Sequence, residues 1–420
     1  MPRAMVLDVW LYGHRVARLS EPSTYRYRLD FTEEAFDVFG PGARVLSLGL
    51  PFERRAVTDT REPGKRRVSA FLEGLLPEGN LRQHVASTLG VPTIDKMALL
   101  GAVGAECAGA VQFLPEGVTP SRGSVRALTS DELARLVADL PTYHLPPGAS
   151  PQASLAGIQD KVLLTALPDG SWGWPEKGAV STHLIKPEPA GGAALAQLIQ
   201  TENWAMAVAQ ATGLPASRTR LDEFGGRAAL VVTRYDRTDD GERTHQEDAC
   251  QALGLDPAAK YENTLEYEKF GSRLKRLVAV AADRAQDPQE FRTALLSAIS
   301  FNVVLGNGDA HSKNYSLLIG RRGEVSLAQL YDVAPVMFLD RNYSRTGHVI
   351  NGRTNIDWVG EEDLIAEARS WGLAERRASA TVRSVMERVR QAVHDVPLPP
   401  GAEGVLERLD SLWDRRGWLR

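Results

Sequence analysis

The first fifty residues alternate between apolar and polar positions. Apolar side chains recur with a period of two in Val6–Leu11, Tyr25–Leu29 and Val45–Leu48, and turn residues separate these runs. Such alternation predicts a small antiparallel β module. A helical pattern follows over Val68–Val103, and residues 104–114 are predicted to form a turn and then a strand.

A second helix is predicted over residues 130–140, where apolar positions follow an acidic first turn. Three prolines and a glycine between residues 141 and 148 then interrupt regular structure. We therefore place the main domain boundary there. It separates an N-terminal subdomain, residues 1–148, from a second domain, residues 149–420.

The second domain changes from strand-like to helical patterns along its length. Apolar runs predict strands, and long amphipathic stretches predict helices. The predicted strands are Val162–Thr165, His183–Ile185, Ala228–Val232 and Tyr315–Ile319, and the predicted helices are Leu195–Thr212, Phe291–Leu305, Arg377–Val393 and Leu406–Trp413. The fold class expected from this order is α+β, with a lobe at about 149–235 and a more helical lobe at about 236–420.

Composition and charge exclude several classes of protein. The net charge of -4 argues against a chain whose whole surface binds nucleic acid. The two cysteines, Cys107 and Cys250, lack the spacing of a zinc site. No uninterrupted apolar run approaches the ~20 residues that cross a bilayer, and Asp8 comes too early for a secretory signal. We expect a cytoplasmic protein without a membrane partner.

Three residues in the C-terminal third of the chain have the spacing that is typical of phosphoryl-transfer enzymes. Asp309 and Asn314 lie five residues apart in the loop Gly308–Asn314, and Asp332 follows two strand-like segments. Phosphoryl transfer needs a carboxylate at the accepting hydroxyl and oxygen ligands for Mg²⁺. The alternative is that Asp309 and Asn314 are ordinary turn residues, which are common beside glycine.

A lysine and a glutamate in the preceding lobe fit the same chemistry. Lys186 ends an apolar strand and could contact ATP phosphates, and Glu202 lies near the apolar side of the next helix, where it would need a cationic partner. The alternative for Glu202 is a solvated helix face. The small-residue loop Ala153–Lys161 could approach phosphate, although taken alone it is more often a surface loop.

Several segments together resemble the HipA family of bacterial serine/threonine kinase toxins. They occur in the family's order along nearly the whole chain: Leu75–Glu78, Cys107–Val111, Ser154–Lys161, His183–Lys186, Arg234–Arg237, Gln246–Asp248, Gly308–Asn314 and Tyr331–Asp332. The resemblance implies a β-rich N-terminal subdomain and a bilobal kinase core with an all-α C-terminal part.

The resemblance also implies roles for individual residues. Asp309 would be the catalytic base, and Asn314 and Asp332 would bind Mg²⁺. ATP would contact a larger set, in which Glu202 supports Lys186 and His311 is a structural hydrogen-bonding residue: Ala153, Ser154, Leu155, Ala156, Gly157, Ile158, Gln159, Lys161, Lys186, Glu202, Thr233, Arg234, Tyr235, His311 and Lys313. Ser154 would be an inhibitory autophosphorylation site. Family members often carry an acidic residue in place of Thr233, which we expect to alter side-chain contacts and not activity.

The family's biology implies a type II toxin–antitoxin module. A small helix-turn-helix antitoxin resembling HipB would bind the kinase and operator DNA, and the kinase would phosphorylate a protein of translation, such as an aminoacyl-tRNA synthetase. Two alternatives remain open. The chain could be a non-catalytic co-repressor bound to its antitoxin, or a small-molecule kinase that uses the same catalytic logic.

Overall fold

The chain forms two compact units. A computed structural model describes residues 5–60, 62, 66–140, 159–189, 197–238 and 240–418. The first unit comprises residues 1–187, 222–257 and 318–324, and the second comprises residues 188–221, 258–317 and 325–420. The boundary that we predicted near residue 148 lies outside the described residues.

An antiparallel sheet forms the core of the N-terminal module. Within the described part of the chain its strand order is Val57–Thr58, Arg26–Phe31, His14–Ser23, Val6–Leu11 and Val111–Pro115. Alternating burial along the long strands places one face against apolar side chains of the core. The strands predicted at Val6–Leu11 and Tyr25–Leu29 are therefore confirmed.

The third predicted strand, Val45–Leu48, is wrong. All four of its residues are buried, so the segment lacks the alternating faces of a half-buried strand. It forms bends that lead into a turn, in which the Leu50 N–H donates to the Ser47 carbonyl at 3.1 Å. A helix that we did not predict, Glu33–Phe39, begins at Thr32, whose side chain accepts from the Ala35 N–H.

The helical stretch predicted at Val68–Val103 is divided into three helices. Pro77 and Gly90 lie at the two interruptions, and Gly90 has the left-handed φ of +66° that favours glycine. The helices of the first unit are Glu33–Phe39, Arg67–Leu75, Gly79–Leu89, Lys96–Val103, Ser130–Ala138 and Ala249–Leu253. The helix at Ser130–Ala138 confirms its prediction and begins with a capping box between Thr129 and Glu132.

A second, larger sheet carries three of the four strands predicted after residue 149. Its order is Thr219–Phe224, Arg227–Thr233, His183–Pro187, Val162–Ala166, Trp172–Glu176 and Ser124–Ala127. The last of these strands comes from the segment before the predicted domain boundary. Further short strands are His245–Asp248, Ser316–Ile319 and Val325–Leu327.

The second unit is mainly helical. Its helices are Leu198–Ala211, Thr264–Phe270, Arg273–Ala281, Pro288–Leu305, Val336–Leu339, Glu361–Ser370, Glu375–Asp395 and Glu403–Arg415. Pro288–Leu305 packs against Glu375–Asp395, and the Trp413 indole donates to the Val304 carbonyl at 2.9 Å. A hairpin of Arg345–Ile350 and Arg353–Asn355 was not predicted.

The combination of sheets and helices confirms the predicted α+β fold class. From residue 361 to residue 418 the secondary structure is entirely helical. Among the described residues, no helix has both the length and the apolar character that a bilayer crossing requires.

Candidate active site

The loop that carries Asp309 begins at the end of the long helix Pro288–Leu305. Gly306 ends that helix in the left-handed conformation, with φ +79°. Asn307 follows, and its side-chain nitrogen Nδ2 donates to the Asn302 side-chain oxygen at 2.7 Å. The Asn307 side-chain oxygen in turn accepts the Asp309 N–H at 3.1 Å. The position of Asp309 is therefore set by hydrogen bonds that start inside the helix.

Gly308 is required by a close approach of two backbone segments. A Cβ added to Gly308 would lie 1.6 Å from the carbonyl oxygen of Tyr343, which leaves no room for a side chain. Gly347, with φ +73°, makes a similar approach, and its added Cβ would lie 2.3 Å from the Ala310 carbonyl oxygen. The segment 343–347 thus packs directly on the Asp309 loop.

Asp309 is a carboxylate in a partly dehydrated and negatively charged environment. Its side chain is 33 % exposed and accepts a hydrogen bond from the Tyr261 hydroxyl. Burial raises the pKa of Asp309 above its usual value, and the Asp332 carboxylate adds to the rise. The Tyr261 hydrogen bond and the Lys260 ammonium oppose this effect. A carboxylate with a raised pKa is a stronger base than an ordinary aspartate.

His311 lies beside this carboxylate but is neutral near pH 7. Its Nε2 is 4.0 Å from Asp309 Oδ1, and its ring contacts Tyr261 edge-on at 5.1 Å between centroids. Burial, followed by the nearby Lys260 charge, lowers the pKa of His311 to about 3. Its Nδ1 atom is buried without a hydrogen-bond partner in the part of the chain that the structure describes. The role of Asp309, and not His311, as the base stays a prediction.

Asn314 and Asp332 supply the oxygen atoms predicted for a metal. The Asn314 amide nitrogen donates to the Asp309 carbonyl at 2.9 Å, which turns its side-chain oxygen away from that carbonyl. Asp332 has a left-handed φ of +56° and influences the pKa values of Asp309, Tyr261 and His311. The structure therefore brings the three predicted residues Asp309, Asn314 and Asp332 close together.

This donor set fits Mg²⁺ in the presence of phosphate. An amide oxygen and carboxylates are hard ligands of the kind that Mg²⁺ prefers, and the ion usually takes further oxygens from phosphates. In the described ranges, no group of three or more His, Cys, Asp or Glu side chains could hold a metal ion. A Mg²⁺ ion here would complete its coordination with oxygens from phosphate or water.

Tyr331 links the strand after the loop to the loop itself. Its hydroxyl donates to the Lys313 carbonyl at 2.6 Å and lies 2.6 Å from the Ser316 hydroxyl. Because Tyr331 is adjacent to Asp332, these bonds help to hold Asp332 beside Asp309.

The predicted nucleotide contacts Lys161, Lys186, Thr233, Arg234 and Tyr235 lie in the first unit, on or beside the large sheet. Lys186 pairs in register with Leu230 and is 5 % exposed. Glu202 is 3 % exposed on the helix Leu198–Ala211, so it is not a solvated helix-face residue. Glu202 belongs to the second unit, and its pairing with Lys186 stays a prediction.

Part of the predicted phosphate-binding loop cannot be placed. Ala153, Ser154, Leu155, Ala156, Gly157 and Ile158 lie outside the described residues. Gln159 and Lys161 are described. The Gln159 side-chain nitrogen is buried and has no hydrogen-bond partner among the described residues, which leaves a donor available before the strand Val162–Ala166.

Family comparisons match both parts of the chain. Residues 7–114 match the HipA N-terminal domain, and residues 153–393 match the HipA-like C-terminal domain. The chain belongs to the HipA family. A HipA relative from Sinorhizobium fredii, Y4mE, which carries a provisional kinase name, is 32% identical over 406 residues. The match covers 93% of this chain and 92% of the relative.

Two further comparisons concern HipA proteins of Shewanella oneidensis. The serine/threonine-protein kinase toxin HipA of that organism is 28% identical over 348 residues, covering 80% of this chain and 78% of the toxin. A solved complex of its HipA, HipB and operator DNA contains a chain with a TM-score of 0.76 and 24% identity. That match covers 98% of this chain and 96% of the other. It confirms the two-domain HipA fold.

One HipA segment that we assigned to nucleotide binding also holds the fold together. The Arg234 side chain is 1 % exposed and pairs with Glu106 at 3.0 Å and Asp236 at 2.8 Å. Arg237 also pairs with Glu106, at 3.0 Å. The Arg234 guanidinium is thus committed to a buried cluster, so nucleotide binding at this position would have to use its backbone.

Sequence reasoning missed two residues that shape the Asp309 loop. Tyr261 donates to Asp309 from a segment 48 residues earlier. Arg273, which is 1 % exposed, donates to the Ala259 and Lys260 carbonyls at 2.9 and 3.0 Å and to the Ser312 hydroxyl at 2.9 Å. In the sequence these are an ordinary tyrosine and one arginine of an amphipathic helix, with no spacing signal that marks them.

Proposed function

We propose that this chain is an ATP- and Mg²⁺-dependent serine/threonine protein kinase that acts as the toxin of a type II toxin–antitoxin module. The observation that carries the proposal is the convergence of Asp309, Asn314 and Asp332 in the second unit. Membership of the HipA family, and a relative named as a serine/threonine-protein kinase toxin, support it.

In this proposal Asp309 accepts the proton of the attacking hydroxyl. Its raised pKa makes it a better base than an ordinary aspartate, since general-base catalysis works best when the pKa approaches the working pH. Because burial and the nearby Lys260 charge lower the pKa of His311 to about 3, its ring is neutral at pH 7 and places no positive charge beside Asp309.

The remaining residues would bind and orient the nucleotide. Asn314 and Asp332 would hold Mg²⁺, whose positive charge would favour transfer of the phosphoryl group. Lys161 and Lys186 would offer positive charge to the phosphates, and the unpartnered Gln159 amide would donate a hydrogen bond to them. Backbone groups of Thr233–Tyr235 would contact the adenine.

Regulation by autophosphorylation at Ser154 belongs to the same proposal. A phosphate there would add nearly two negative charges close to the nucleotide phosphates. Repulsion between these groups would weaken ATP binding. The family resemblance supports this role of Ser154.

The proposed partners are a HipB-like antitoxin and a protein substrate. The Shewanella oneidensis HipA complex contains HipB and operator DNA. By analogy, this chain would bind a helix-turn-helix antitoxin and reach operator DNA through it. The proposed substrate is a protein of translation, with an aminoacyl-tRNA synthetase as the first candidate to test.

The test is phosphate transfer from labelled Mg-ATP by the purified chain, with and without its D309N substitution. We expect label on protein with the wild type, a loss of at least about 100-fold with D309N, and no loss with the matched surface substitution D357N. Equal labelling by wild type and D309N would refute the role of Asp309.

Label on a small metabolite, and not on protein, would instead identify a small-molecule kinase. Growth arrest that persists in D332A would favour the non-catalytic co-repressor.

A further inference from the structure

The N-terminal module contains a cavity of about 700 Å³ at the outer edge of its five-stranded sheet. Val57–Thr58 is the edge strand there, and Arg26–Phe31 is its neighbour. Charged side chains from three separate segments line the cavity: Arg26, Arg28, Glu53, Arg55, Asp59 and Arg67. None of these residues has a role in the proposed phosphoryl transfer.

Two of the four arginines are held by neutral groups. Arg26 donates from Nε and Nη2 to the Asp59 carbonyl oxygen at 3.3 and 3.1 Å. Arg67 donates from Nη1 to the Gly49 carbonyl oxygen at 3.2 Å. A carbonyl orients a guanidinium but does not cancel its charge. The cavity wall is therefore rigid at these positions and still positively charged.

Asp59, an acid that lines the cavity, has its carboxylate bound to backbone N–H groups. The Asp59 side chain is 2 % exposed, and its two oxygens accept the N–H groups of Val68 and Ser69 at 3.1 and 3.0 Å. Those N–H groups belong to the first turn of the helix Arg67–Leu75, where an acid is stabilised by the helix dipole. Asp59 thus caps the helix, and the guanidinium groups of Arg26 and Arg67, which donate to carbonyl oxygens, can still bind an external anion.

Arg28 and Arg55 complete the cavity on its exposed side. Arg28 is paired with Asp30, at 2.8 Å between its Nε and Oδ2. Arg55 and Glu53 are exposed. Asp30 neutralises Arg28, so the four arginines that line the cavity, counted against Asp30, Glu53 and Asp59, leave a net charge of +1.

We propose that this cavity binds a small polyphosphate ligand, of the size of a nucleoside polyphosphate. Guanidinium groups form paired hydrogen bonds with phosphate oxygens, and several of them around one cavity match a chain of phosphates better than a single small anion. The volume lies within the range of about 300–1,000 Å³ that is usual for small-molecule sites. The proposal is independent of the proposed kinase activity.

The test is isothermal titration of the full chain with inorganic tripolyphosphate in the absence of ATP. Wild type is compared with R55A, which truncates an exposed side chain, and with R26A. The matched control is R18A, because Arg18 is an exposed, ion-paired arginine of the same sheet that does not line the cavity. We expect R55A and R26A to weaken this binding at least tenfold and R18A to leave it unchanged.

A second site elsewhere on the chain would not confuse the result, because it would keep its affinity in R55A and R26A and only the cavity site would bind more weakly. Titration with GTP and with guanosine distinguishes the sources of the phosphate: tighter binding of GTP than of tripolyphosphate, with none of guanosine, identifies a nucleoside polyphosphate. Equal binding to wild type, R55A and R26A would overturn the proposal. So would the absence of saturable binding, which would leave the arginines as charges that protect a sheet edge from pairing with another chain.

Discussion

Replacement of Glu106 by glutamine tests whether one carboxylate holds the buried cluster of the first unit together. The Glu106 side chain is 1 % exposed and pairs with Arg234, Arg237 and Arg243. Asp236 is the second acid of this cluster and pairs with Arg234 and Arg237. Glutamine has nearly the same shape as glutamate, so the substitution removes charge and leaves the packing in place.

The expected loss of stability in E106Q follows from the charges of the remaining side chains. Three arginines and two acids give the cluster a net charge of +1, and the substitution raises this to +2 in a region closed to water. Removing one partner from a buried ion pair costs about 3–5 kcal/mol. An exposed pair contributes about 0.2–1 kcal/mol. We expect E106Q to lower the free energy of unfolding by about 3–5 kcal/mol, as for a buried pair.

The assay is unfolding in urea, which is uncharged and does not screen ion pairs, followed by tryptophan fluorescence. The control is E116Q, because Glu116 pairs with Arg18 on the surface, at 36% and 49% side-chain exposure. Addition of R243M to E106Q returns the cluster to a net charge of +1 and should recover part of the loss. Equal small losses for E106Q and E116Q would refute the reasoning, as would strict additivity of E106Q and R243M.

Three further predictions concern single residues. Tyr261→Phe removes a hydrogen bond that lowers the pKa of Asp309, so the acid limb of the pH–rate profile for phosphate transfer should move to higher pH. Gly308→Ala should abolish phosphate transfer because of its backbone clash, whereas Gly404→Ala, in an open helical position, should stabilise the chain by about 0.4–1 kcal/mol. Burial raises the pKa of Glu247 to about 8, so wild type should lose stability as pH rises from about 4.5 to 8, and Glu247→Gln should lose less.

Each of these predictions has an outcome that contradicts it. An unshifted acid limb in Y261F would show that the tyrosine hydroxyl does not act on the base. Wild-type transfer by G308A would mean that the backbone at residue 343 can move aside. The direction of the pH dependence for Glu247 follows because its pKa in the folded state lies above the usual 4.5. The resulting stabilisation is fully present below pH 4.5, and it is lost as pH rises toward 8 and the folded carboxyl group ionises. Parallel pH profiles for wild type and E247Q in urea unfolding would contradict it.

Much of the secondary structure could be predicted from the sequence. The strands at Val6–Leu11 and His183–Pro187 and the helix at Pro288–Leu305 follow from periodicity, which is a local property of the chain. Val45–Leu48 failed because its apolar residues are buried consecutively, a pattern that depends on what packs around them. Ser124–Ala127 could not be assigned to the large sheet, since strand partners are chosen by the tertiary fold.

For the candidate site, the sequence by itself indicated phosphoryl transfer through the spacing of Asp309 and Asn314. Asp309 and Asn314 lie in one loop and are joined by a hydrogen bond within it, so their proximity follows from their spacing in the sequence. Only the tertiary structure brought Asp332 beside Asp309 and aimed the Tyr261 hydroxyl at it. The Arg234–Glu106 pair joins residues 128 positions apart. In the sequence these are ordinary charged or polar residues. Burial decides their role, because a charge removed from water must find its partner wherever the fold places one.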